Sequence, residues 1–567
     1  MSMDPEHAGD HHHTPGGART AVVVPIVVTM ALYVGALAMG FPQLGTQMVV
    51  DGEAAHAAAH DEHAALDGQA EHSASELETG EPAGVEQEAA EHAEGEGETQ
   101  AAEQPHETEH LTPPPIWTVV PFVLLLGAIA IFPLVPAIEH WWESNVSRLI
   151  VAGGLGLLVL AYYGLVHNAP IEGHWPAHKI VAPNSGGFNL AEVSTVLENA
   201  LLQEYIPFIV LLFSLYTISG GIRIQGDLQA NPMTNAIFML AGGVLASFIG
   251  TTGAAMLLIR PLLETNQERK HVAHTVVFFI FIVCNCGGCL LPIGDPPLFL
   301  GYLQGVPFFW TLGLWQEWAE CVGMLLVAYL LIDEYFYSHE TEADITRDIR
   351  HIRHLKYSGM ALNVPLLLGV VLAVALLDPS KTVPGTQWHP WMYLREIAQL
   401  ALVAVSLWFG SREVRIANNF NFHAIVEVAA LFVGIFICMQ PALQILKIEG
   451  ASLGIESPMQ FFWITGGLSS VLDNAPTYLV FFETARALPS VDGIHQIAGV
   501  DEHRLVAISL GAVFMGAMTY IGNGPNFMVK AIAEKSGVKM PSFFGYMLWS
   551  VAILLPIFGF LAWRHLL

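Results

Sequence analysis

The stretch "SSVLDNAPTYLVFF", residues 469–482, sits between "FFWITGGL" and "ETARAL", in a region otherwise apolar enough for lipid. It sets Asp473, Asn474 and Pro476 almost side by side. A carboxylate at the centre of a bilayer costs about 2.5–3.5 kcal/mol on insertion scales and is kept there for function or for a paired structural role. Proline removes a backbone donor and breaks a helix. The combination therefore predicts a polar kink inside the membrane.

Composition supports that solvent. Of 567 residues 53% are hydrophobic and 13% charged, with mean hydropathy +0.49, whereas soluble domains carry about 25% charged residues. An all-α polytopic membrane protein is expected. The net charge of −29 is mostly local: residues 50–111 hold eighteen Asp and Glu and no Lys or Arg. This segment lacks the apolar side chains needed to offset chain entropy and reads as a disordered, solvated acidic linker. Its His56, His60, His63, His72, His92, His106 and His110 leave metal binding or pH sensing as the alternative. Five cysteines in apolar stretches argue against a disulfide framework.

Apolar runs long enough to cross the hydrocarbon core predict eleven spans, near 21–42, 114–139, 148–166, 205–221, 273–303, 307–333, 360–378, 393–409, 422–445, 504–533 and 541–563. Two further stretches, 235–263 and 459–485, are interrupted by "GTTGAA" and "SSVLDNAPT" and read as re-entrant hairpins of two half-length helices. With the N-terminus cytoplasmic, this threading puts fifteen of the twenty-two Lys and Arg on the cytoplasmic side, as the positive-inside rule requires. The acidic segment is then periplasmic, the first hairpin opens inward and the second outward. The implied units are a tail and first span (1–49), the acidic segment (50–113), one half (114–338), a basic linker (339–358) and a second half (359–567). The first span reads as either an uncleaved anchor or a signal peptide ending at "ALA" (36–38), its long, acid-containing lead arguing against the signal.

Internal repetition connects the halves. Gly242-Gly243 in "AGGVLASFIG" matches Gly466-Gly467 in "TGGLSSVLDN" at an offset of 224. Arg260 matches Arg486 at 226, and "PIGDPPLF" matches "YIGNGPNF" at 228, pairing Asp295 with Asn523. Three matches in the same order at nearly constant spacing predict duplicated halves, and the charge count makes them inverted. Inverted repeats with broken helices are the signature of secondary transport, with the site at the breaks. Asp473, Asn474, Ser469, Ser470 and Thr477 at one tip, Asp295 and Asn285 at the fifth span, Thr251 and Thr252 at the first tip, and Asn523 and Asn526 at the last break are the candidate ion or substrate ligands. Asp473 and Asp295 are candidates for Na⁺ or H⁺. For each acid the alternative is a helix cap that stabilises the break.

The two five-span halves, with Ser469, Asp473, Asn474 and Pro476 in "S-x-x-x-D-N-x-P" and the "IGNGPNFM" break, resemble the ion transporter superfamily, most closely NhaD-type sodium/proton antiporters and the citrate transporter families grouped with them. The resemblance covers residues 114–563. It implies a non-enzymatic inner-membrane homodimer without a cofactor or nucleic-acid partner, carrying Na⁺ or Li⁺ against H⁺. The alternative is sodium-coupled uptake of citrate or a dicarboxylate, with Arg260, Arg486 or Lys530 adding positive charge. Against that alternative, "GTTGAA" lacks the Asn of carboxylate-carrier tips, and Asp473 would repel an anion. A third reading, arsenite-type efflux, rests on Cys284, Cys286 and Cys289 in "CNCGGC" as soft ligands. His423 and Glu427 share a helix face without a third ligand, so packing or proton relay accounts for them better than a metal centre.

Overall fold

The computed structural model describes residues 15–52, 112–341 and 353–567, except 185 and 492. The acidic segment and its seven histidines lie outside the described residues, as does most of the basic linker. The protein is mostly helical. Three two-stranded antiparallel ribbons complete it: Ile171–Gly173 with Lys179–Val181, Arg223–Asp227 with Arg353–Ser358, and Gln496–Ile497 with Val500–Asp501. The second ribbon ties the end of the linker back to the first half, through pairs such as Ile224 with Tyr357.

Among the described residues six helices are long and apolar enough to cross a membrane alone, and eight if two bent pairs each count as one span. The protein is thus a multi-pass membrane protein. Eleven spans are reached only by counting elements that fail on length, charge or continuity. Met360–Leu376 and Leu394–Phe409 have 17 and 16 residues. Trp315–Tyr337 carries Glu317, Glu320, Asp333 and Glu334. The run at 504–533 is two short helices, Glu502–Met515 and Gly524–Lys535. The first predicted run bends by 71° between Val22–Ala38 and Phe41–Gly52.

Both interrupted stretches are helix pairs. In the first, Pro232–Ile249 and Thr251–Thr265 pack against one another across Gly250. That residue sits at φ 78°, ψ 149°, a conformation essentially open only to glycine. The first arm has 18 residues, a rise of about 27 Å. It is therefore longer than the half-length helix expected. In the second pair, Pro458–Ser469 and Asn474–Arg486 have 12 and 13 residues, the half-length helices expected.

The centre of the molecule is made of the two broken helices. His274 to Val283 are buried without exception, and 89% of the span Ala273–Leu290 is covered by protein against 33% of Phe543–His565. A helix that is apolar on every face belongs inside. After Val283 the chain turns through a 3₁₀ segment, Cys286–Leu290, and restarts as Pro296–Leu303. After Met515 it turns through Gly516–Met518 and restarts as Gly524–Lys535. The correspondence is atomic. Asp295 and Asn523 precede the restarts at φ −141°, ψ 141° and φ −152°, ψ 139°. A Cβ on Gly294 would strike the carbonyl oxygen of Gly288, and one on Gly522 that of Gly516. Both members of that second pair lie 228 positions after the first.

The halves interlock. Pro296–Leu303 packs on Asn474–Arg486 of the second pair, while Gly524–Lys535 packs on Thr251–Thr265 of the first. Where the first pair crosses the 3₁₀ turn, a Cβ on Gly287 would lie 2.5 Å from Gly243 Cα and 2.6 Å from Ile282 O. These are backbone atoms that cannot move aside. Gly287→Ala is expected to destabilise the protein by about 1–3 kcal/mol, lowering the midpoint of thermal unfolding in detergent. Gly467→Ala, whose added methyl meets nothing within 4 Å, is expected to leave it unchanged.

Candidate functional site

The interlocking brings the first residues of four helices to one carboxylate, that of Asp295, which is 1% exposed. Thr251, first residue of Thr251–Thr265, donates its hydroxyl to Asp295 Oδ1 at 3.0 Å. Asn474, first residue of Asn474–Arg486, donates Nδ2 to Asp295 Oδ2 at 2.8 Å. Asn523, the residue before Gly524–Lys535, donates Nδ2 to Asp295 Oδ1 at 3.2 Å. Asp295 itself is the residue before Pro296–Leu303. Each helix N-terminus carries about half a positive charge, so the four together offset the charge of Asp295 and of Asp473, the cap of Asn474–Arg486, without any cationic side chain.

The local sequence explains why Asp295 is available. An N-cap carboxylate ordinarily accepts from the N–H of the second or third helical residue. Pro296 and Pro297 occupy the first two positions, and the side chain of Asp295 makes no cap bond. Asn523 is in the same position, with Pro525 second, and likewise leaves its helix uncapped. Asp473 behaves in the opposite way. It is half-buried, and Oδ1 accepts from Ala475 N at 3.0 Å, a helix cap.

A second layer satisfies the broken backbone. Asn285 Nδ2 reaches Asn526 Oδ1 at 2.8 Å and Ile280 O at 2.9 Å. Asn526 donates to the carbonyls of Gly516 and Thr519, and Asn523 to that of Cys284. Asn285 Oδ1 accepts from Asn523 at 3.3 Å. The other expected ligands point elsewhere. Ser469 bonds Ala512 O, Ser470 bonds Gly466 O and Thr477 bonds Asp473 O, all within the second hairpin and its neighbour. Thr252 is half-buried beside Thr251.

The cationic residues considered as anion anchors are engaged away from Asp295. Arg260 donates to Asn418 O, Arg486 pairs with Glu483 and with the carbonyls of Gln304 and Ala498, and Lys530 pairs with Glu534 and lies over the Tyr520 ring. Glu427 pairs with Arg148 at 2.9 Å, so it ties two helices together. The five cysteines are free thiols, all buried.

Two helical turns beyond Asp295, about 10 Å along the axis, Tyr302 and Gln304 form part of the wall of a cavity of about 320 Å³. Small-molecule sites begin at about this volume. Arg395 in that wall bonds Glu396 at 2.7 Å and the Tyr302 hydroxyl at 3.3 Å. Glu204, in a π-helical stretch, takes weak bonds from Gln304 and Gln440. The sequence reading passed over this cavity. The adjacent Arg395-Glu396 pair in an otherwise apolar run was the available signal.

Residues 111–566 match the model of a family described as "Putative citrate transport". The chain belongs to that family, which is a transporter family. Comparison with curated proteins finds no match.

Removing the Asp295 side chain strands two buried donors, the Thr251 hydroxyl and the Asn474 amide, each worth about 1–3 kcal/mol when left unpaired, while Asn523 keeps the Cys284 carbonyl and Asn285. Asp295→Ala is therefore expected to lower the unfolding midpoint well beyond Asp473→Ala, which loses one cap at about 1 kcal/mol. Asp473→Asn retains the cap and should unfold like the parent.

Proposed function

We propose that the protein is a secondary active transporter of citrate or a related carboxylate, coupled to Na⁺ or H⁺, with the coupling ion handled at Asp295. The observation that carries this reading is the meeting of four helix N-termini at a single buried carboxylate. Asp295 and Asp473, the cap of one of these helices, together carry no more negative charge than the four ends offset, so the expected repulsion of an anion is weakened. Family membership supports the same substrate class. Thr251, Asn474 and Asn523 hold the carboxylate; for Na⁺, the two amides turn by half a rotation to present oxygen, and for H⁺ the carboxyl itself takes the proton. In the inverted-repeat threading with a cytoplasmic N-terminus, in the inner membrane, the 320 Å³ cavity opens to the exterior and serves as the entry vestibule.

Cation/proton exchange without an organic substrate is the second reading. It is favoured by the purely neutral side-chain partners of Asp295, which leave no cationic side chain to compete with a mobile cation for its oxygens. The sequence placed exchange first. The converging N-termini and family membership support the carboxylate reading at least as well.

Proteoliposomes separate the two. Uptake of labelled citrate driven by an inward Na⁺ or H⁺ gradient, and lost in Asp295→Asn, is the expected result. Collapse of a preset pH gradient on adding Na⁺ or Li⁺ without citrate, also lost in Asp295→Asn, would instead establish exchange. Neither activity in protein shown to be folded would remove both readings.

A further inference from the structure

Away from the crossing, the ribbon Ile171–Gly173 with Lys179–Val181 closes over one side of the cavity, and the sequence "EGHWPAH" supplies its tip. Glu172, His174 and His178 each present one ligand atom there, and the three atoms lie within 4.8 Å of one another. His174 Nδ1 and His178 Nδ1 are 3.1 Å apart. Two imidazole nitrogens bound at 2.0–2.1 Å to one tetrahedral ion sit about 3.3 Å apart, so the rings are already close to the spacing such an ion needs.

The tip is held from behind. Asn199 Oδ1 accepts from His174 N at 2.7 Å and Asn199 Nδ2 donates to Glu172 O at 2.9 Å. Lys179 on the return strand pairs with Glu198 at 2.9 Å. Glu172 also pairs with Lys447 of helix Gln440–Glu449, through Oε2. His174 Nε2 approaches the same oxygen at 3.9 Å.

We propose that Glu172, His174 and His178 form a site for a borderline divalent transition-metal ion, of the Zn²⁺, Co²⁺ or Ni²⁺ class, on the rim of the cavity. Two imidazoles and a carboxylate select such ions over Mg²⁺ and Ca²⁺, which want oxygen alone. Burial, then Lys447 and His178, push the His174 imidazole down to about 3, keeping it neutral. Burial acts to raise Glu172, but Lys447 outweighs it and holds the carboxyl below its ordinary value. Lys447 is the competitor: an ion that takes Glu172 draws its carboxylate from this ammonium, which also lines the cavity.

The test is metal stoichiometry and affinity on the full chain in detergent, with Zn²⁺ and, for its absorption spectrum, Co²⁺. His178→Ala, on an exposed tip, should lose one equivalent relative to the parent, together with the tetrahedral Co²⁺ bands that the parent shows. His174→Ala should lose the same equivalent. Lys447→Ala should tighten that equivalent severalfold, because a competing charge is removed. An unchanged count and affinity in both histidine variants would overturn the site, as would weaker binding in Lys447→Ala. Neither result bears on citrate transport, which is measured separately.

Discussion

The encounter between helix ends and the Asp295 carboxylate is the constraint on which the architecture depends. Four helices that start inside the protein, where Asp295, Thr251, Asn474 and Asn523 are buried, bring N–H groups and positive dipole ends to a place where water is scarce. Without a negative charge among them the arrangement would be strongly unfavourable. With it, each hairpin can pack its second arm on the restarted helix of the other half, and the two halves interlock around the residue that neutralises part of their shared field.

The division of labour between Asp295 and Asp473 follows from which backbone donors proline removes. Both acids precede a helix, and both are natural caps. Asp473 is followed by Ala475, whose N–H it accepts. Asp295 is followed by two prolines and cannot cap in that way, so its carboxylate turns toward Thr251, Asn474 and Asn523. The same rule governs Asn523 before Gly524-Pro525. A local absence thereby becomes a long-range contact, joining residues 179 and 228 positions apart.

Much of this was legible in the sequence. Composition defined the solvent, glycine, proline and amide clusters marked the four breaks that meet at Asp295 but not the bends within the runs at 21–42 and 114–139, and the 228-residue spacing pairs Asp295 with Asn523 from sequence alone. What was not legible was the ranking of the acids. "SSVLDNAPT" is the more conspicuous motif, yet the contrast between "GDPP" and "LDNAP" held the answer for anyone counting N–H donors. Span number was also out of reach, because apolar runs do not reveal where a helix stops. The cavity, assembled from residues between 49 and 486, has no local signature beyond Arg395-Glu396.

The glycine contacts at the two breaks bear on how the core can move. Gly288 with Gly294, and Gly516 with Gly522, press main chain against main chain, which leaves no side chain to slide or rotate as a joint. A hinge placed there would have to shear peptide units past each other. Any rearrangement that exposes Asp295 first to one side and then to the other is therefore easiest if both crossings travel together as one stiff cassette, the slack being taken up by the looser helices around it.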